Sequence, residues 1–97
     1  MVTFFRKAGQ VCTSIQRLYV EKAIFEQFTA RFVDAVRRDV KAGDPSLDGI
    51  FLGPLIAPRE ADRIAAWISE ARDLGASVLT GGQREGHAIV QPTIITN

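Results

Sequence analysis

The sequence predicts an α/β domain. Three observations predict it: a β-rich run, "QRLYV" at 16–20, two apolar stripes at helical spacing, and short extended segments after the second stripe. Taken in order, "QRLYV" reads as a buried strand. In "EKAIFEQFTARFVDAVRRDV", Phe25, Phe28, Phe32, Val36 and Val40 recur at steps of three and four, which places them on one face of a helix over about 22–41. Arg31, Asp34, Arg37 and Arg38 fall largely on the other side. Gly43 and Pro45 close this helix, the glycine as a left-handed cap and the proline as a breaker.

"DPSLDGIFLGPLIAP" at 44–58 is a loop by its proline and glycine content. Pro58 suits the first position of a second helix, where its missing N–H costs nothing. That helix, over about 58–74, carries a stripe of Ile64, Trp67, Ile68, Ala71 and Leu74, and Gly75 caps it. Trp67 is assigned to the core. Strands follow near 77–80 and 89–95, with Pro92 marking the last as an edge strand or one with an irregular start. This alternation implies βαβ-like crossovers and a sheet covered by helices. So few short strands make a poor sheet by themselves, and the pattern looks like a slice of a larger domain.

With 97 residues the chain suits one small domain at most. Hydrophobic residues make up 46% and charged residues 24%, ordinary values for a globular protein. The net charge is +1, and acidic and basic residues are interleaved, so no nucleic-acid partner is expected. No apolar run approaches the ~18 residues of a membrane helix. "MVTFFRKAG" has its charges after its apolar run, the wrong order for a secretory signal. One cysteine and one histidine cannot build a Cys/His metal site. A single cysteine makes no internal disulfide and fits a reducing, cytoplasmic setting.

That cysteine, Cys12, lies in "RKAGQVCTSIQR". An isolated cysteine is most often an inert core residue. The neighbourhood suits another role. Gly9 allows close backbone approach, and Gln10 adds an amide nearby. The thiol sits between a helix-like stretch, "VTFFRKA", and the run at 16–20. A nucleophile on such a junction can face a cleft while its backbone N–H stays free for an oxyanion. No histidine is placed to form an evident dyad with it. From these residues alone, core cysteine and nucleophile both remain open.

"FFRKAGQVCTSIQRLYV" resembles the active-site cysteine segment of the NAD(P)-dependent aldehyde dehydrogenase superfamily. "GDP" at 43–45, "GPLI" at 53–56, "ADRIAAWISEARDLGASVLTGG" and "QPTIIT" are similar to the same family in the same order. The resemblance covers essentially the whole chain. It implies part of a three-layer catalytic domain over 1–97, with two main helices packed on short strands. It also implies that Cys12 is the catalytic nucleophile and that its backbone N–H is an oxyanion donor. The family's thiolate adds to an aldehyde to give a thiohemiacetal, hydride passes to NAD or NADP, and water hydrolyses the thioester. The implied substrate is an aldehyde, and the implied intact parent is a homo-oligomer. A CoA-acylating semialdehyde dehydrogenase, or a non-catalytic truncated product, would carry the same residues.

The chain departs from the family pattern in two ways. Lys7 stands where many members carry Asn; it can favour a thiolate if near the sulfur or be simply solvated. The family's general-base glutamate motif, its oxyanion asparagine, its cofactor domain and its ribose-binding glutamate motif all lie outside this sequence. The expected object is therefore a piece of the catalytic domain, inactive by itself and not binding NAD(P) tightly. Glu60 and Arg63 match a helix start that approaches the cofactor in some relatives, although a solvated helix face explains them too. Gly53 and Pro54 shape the turn into that helix. His87 reads as a surface residue, and Arg17 as a structural residue paired with a carboxylate.

Overall fold

The computed structural model describes residues 2–97, with side chains from Phe4 onward. A one-turn helix, α1 (Val2–Phe5), runs into a 3-10 turn at Arg6–Gly9. A second 3-10 turn at Lys22–Ile24 leads into α2 (Phe25–Asp39). Helix α3 spans Pro58–Asp73. Four strands follow: β1 (Ser77–Thr80), β2 (Arg84–Glu85), β3 (Ile89–Val90) and β4 (Ile94–Thr96). The class is α/β, with two main helices and short strands, as the patterning predicts.

Helix α2 buries the C-terminal part of the predicted stripe, while Phe25 at its start is exposed. Val33, Val36 and Val40 are buried, and Val36, Val40 and Leu52 form a core against Phe5, Phe32, Ala42 and Ile94. The arginines stay outside. Arg37 reaches back to β1, donating to Thr80 Oγ1 at 3.1 Å and to the Leu79 carbonyl at 2.9 Å. Helix α3 starts with Pro58 at its first positions and buries Ala61 and Ile68. Its end is a Schellman motif: Gly75 N–H donates to Arg72 O at 3.0 Å and Ala76 N–H to Ala71 O at 2.9 Å. Gly75 takes φ +101°, a region open to glycine at no steric cost. Arg84 ties the β2–β3 hairpin to this helix by an ion pair with Asp62.

Strand β4 pairs antiparallel with β1, Val78 opposite Ile95, with an irregularity between Val78 and Thr80. Gly81 sits beside that irregularity. A Cβ there would lie 2.1 Å from the Pro92 carbonyl oxygen, so the close crossing at Gly81 admits glycine alone. Pro92 itself interrupts the predicted 89–95 strand, splitting it into β3 and β4.

Four expectations are corrected. Residues 16–20 are not a buried strand. An extended run becomes a strand when a neighbour supplies its hydrogen bonds, and no described segment pairs with it. Leu18 and Tyr19 are 47% and 88% exposed. The βαβ crossovers are also absent among the described residues. Both strand pairs are antiparallel, because the chain after β1 turns back through the β2–β3 hairpin. The parallel element is an isolated bridge, Ala42 to Leu52.

The third correction concerns the end of α2. It closes at Asp39, before Gly43, and Gly43 is absent from the residues with positive φ. Lys41 O instead accepts from both Phe51 and Leu52 N–H, pulling the chain into that bridge. The fourth concerns Trp67, which is 56% exposed rather than core, and Leu74, which is 82% exposed. The buried face of α3 centres on Ala61, Ile64, Ile68 and Ala71. Trp67 and Leu74 lie roughly 80–100° around the helix from that centre.

Candidate active-site segment

The cysteine segment begins with an unusual backbone. Lys7, Ala8 and Gly9 take φ of 48°, 56° and 78°, three consecutive left-handed residues. For an L-residue this conformation costs about 1–2 kcal/mol. The run reverses the chain after α1 and leads to Gln10, whose N–H donates to Lys7 O at 3.1 Å. The Gln10 side chain then makes two further bonds. Its Nε2 donates to Lys7 O at 3.0 Å, and its Oε1 accepts from the Ile56 N–H at 2.9 Å.

A tight turn follows, closed by Ser14 N–H donating to Val11 O at 2.9 Å. Cys12 and Thr13 are its two central residues. Beyond it, Ser14 Oγ reaches the Phe4 carbonyl at 3.4 Å. Cys12 is a free, exposed thiol, not a core residue. Its backbone N–H makes no hydrogen bond among the described residues. No histidine, lysine or carboxylate hydrogen-bonds its sulfur among them either. Lys7 is solvated.

The other candidates lie elsewhere. Glu60 stands in the first turn of α3, with Oε2 accepting from Arg63 Nε at 2.9 Å and Nη2 at 2.7 Å. Hydrogen bonds from Arg63, with its positive charge, hold the Glu60 carboxyl below the ordinary carboxylate range. The Arg63 guanidinium also stacks on Trp67, 4.5 Å from the ring centroid. Glu60 and Arg63 thus serve one another on a solvated helix face. His87 is exposed in the β2–β3 turn, as expected. Arg17 is exposed and, among the described residues, pairs with no carboxylate, so its expected ion pair is corrected. No group of three metal-ligating side chains occurs among the described residues.

A cavity of about 320 Å³ lies under the 15–20 segment, between Phe28 and Phe32 of α2 and the β4 edge. Cys12 does not line it. Neither does any charged residue.

The fold is found among solved dehydrogenases. Superposition on aldehyde dehydrogenase 21 of Physcomitrella patens, solved with the reaction product succinate, gives a TM-score of 0.90 at 37% identity, covering 97% of this chain and 19% of that one. The glyceraldehyde-3-phosphate dehydrogenase of Methanocaldococcus jannaschii, complexed with NADP, gives 0.91 at 32% identity, covering 97% and 20%. In sequence, the 3-sulfolactaldehyde dehydrogenase of Priestia aryabhattai is 40% identical over 93 residues, 96% of this chain and 19% of the relative. The profile of the aldehyde dehydrogenase family matches residues 1–97. The chain belongs to the aldehyde dehydrogenase family. It spans about a fifth of the length of these relatives.

One feature of the segment was not legible in the sequence. Gln10 reads there as an amide near the cysteine, but its partner, Ile56, lies 46 residues on. No short-range signal links the two.

Proposed function

We propose that this chain is the cysteine-bearing part of the catalytic domain of an aldehyde dehydrogenase that oxidises an aldehyde to a carboxylic acid with NAD or NADP. The observation that carries the reading is Cys12, an exposed thiol at the centre of a tight turn with its own N–H unpaired among the described residues, in a chain of this family.

Cys12 is the nucleophile. Its sulfur bonds to the aldehyde carbon, the carbonyl π pair moves to oxygen, and the thiol proton ends on that oxygen, giving a thiohemiacetal. The N–H of Cys12 donates to the oxygen as negative charge builds there. NAD(P), when bound, accepts the hydride. Among the described residues no base hydrogen-bonds the sulfur. The chain alone therefore stops at the reversible adduct. Glu60 and Arg63 are retained as candidates for the cofactor's edge, since Glu60 presents carboxylate oxygens that can accept from ribose hydroxyls. A reducing, cytoplasmic setting fits an exposed unpaired thiol.

Competition tests the reading. Cys12 is alkylated with iodoacetamide in the presence and absence of a short aldehyde. Adduct formation consumes thiol, so the aldehyde slows alkylation reversibly. An alkylation rate indifferent to excess aldehyde refutes the nucleophile assignment.

A further inference from the structure

We infer that Gln10 is a positioning residue for Cys12, clipping the cysteine turn to the 53–56 loop; this rests on the nucleophile reading above. The two family-like motifs, "GQVC" and "GPLI", are 44 residues apart at their first glycines, yet one side chain joins them. Gln10 uses both ends of its amide. Nε2 holds the Lys7 carbonyl at 3.0 Å, and Oε1 takes the Ile56 N–H at 2.9 Å. The first bond braces the left-handed run of Lys7, Ala8 and Gly9. The second ties that run to a fixed platform. Leu52 is 3% exposed in the core, and Leu55 N–H donates to Ala88 O at 2.7 Å, so the loop is anchored on both sides of Gly53 and Pro54.

Cys12 stands two residues beyond the clip and two before Ser14, whose hydroxyl reaches Phe4 O. The turn that presents the thiol is thus tethered at each end, to the 53–56 loop and to α1. A strained backbone beside a reactive group persists only where its surroundings hold it. Gln10 supplies that hold on the side where the backbone is left-handed. Glutamine suits the task because it alone carries a donor and an acceptor at this reach.

Two variants of the 97-residue chain test this. Gln10→Met keeps length and shape but removes both bonds; Gln10→Glu keeps the oxygen that accepts from Ile56. Amide exchange is read by NMR at Ile56, at Ser14, whose N–H closes the cysteine turn, and at Val40, which reports α2. Gln10→Met should speed exchange at Ile56 and Ser14 roughly tenfold, the size expected when two ordinary neutral hydrogen bonds are lost locally. Val40 should not change, and Gln10→Glu should restore protection at Ile56. Faster exchange at Ile56 with Ser14 unchanged would show that the clip does not hold the cysteine turn. Equal acceleration at all three sites would show a general structural role; either result overturns the inference. In the unmodified chain, aldehyde that fails to protect Cys12 from alkylation removes the nucleophile reading instead, and the exchange pattern tells that failure from the absence of a clip.

Discussion

At the residue scale, Lys7 is the most informative position. It holds φ 48° and ψ 38° in a solvated side chain with no partner among the described residues. Left-handed geometry costs an L-residue about 1–2 kcal/mol, part of which glycine gives back as unfolded-chain entropy. Lys7→Gly should therefore stabilise the chain by about 0.5–1 kcal/mol, read as a higher urea midpoint with unchanged slope. A lower midpoint would mean that the ammonium makes a stabilising contact. Gly9 signals the left-handed run for one residue, but Lys7 and Ala8 are forced into it by the clip at Gln10. Tertiary contact overrides local preference there, and sequence pattern does not see it.

At the scale of elements, both long helices were legible because amphipathic spacing is a local signal. Phe32, Val36 and Val40 pack where the 3.6-residue period puts them. The signal overreaches at the stripe's edge. Trp67 recurs at helical spacing, yet Arg63 lies over its ring and more than half of the residue faces solvent. Trp67→Ala should consequently cost no more than about 1 kcal/mol, the size of a surface cation–π contact, where a core tryptophan would cost about 3–5. Ile68→Ala, on the buried centre of the same helix, should cost about 2–5 kcal/mol. Thermal unfolding of the two variants checks the ranking; the reverse order would restore Trp67 to the core. The run at 16–20 was misread for the opposite reason. Strand propensity is local, but a strand needs a partner, and β-rich composition alone does not provide one.

At the scale of the whole molecule, the chain is compact but wide open. Its radius of gyration is 13.5 Å, close to the ~13 Å of a 100-residue domain. Its accessible surface is 6955 Å², about 1,500 Å² more than a compact monomer of this mass exposes. The excess includes Ile15, Leu18 and Phe25, which line the apolar cavity. A stable dimer needs about 800 Å² per partner. In solution, the chain alone should therefore pair with a second copy through this face, and Leu18→Lys should shift it toward monomer in sedimentation velocity. A sharp monomer at high concentration would contradict this.

On the function proposed above, Cys12 brings the nucleophile, and the described residues bring no bound hydride acceptor and no base at the sulfur. Positioning of reacting groups can supply roughly 7–11 kcal/mol of a barrier, and without a bound acceptor that contribution is lost. The most direct measurement is a carbon NMR time course of the purified chain with a short aldehyde labelled at its carbonyl carbon, in the presence of NAD or NADP. A thiohemiacetal resonance that vanishes in Cys12→Ala, with no labelled carboxylate accumulating, is the predicted result. Carboxylate that builds up steadily, or a chain that forms no Cys12-dependent adduct, would contradict it.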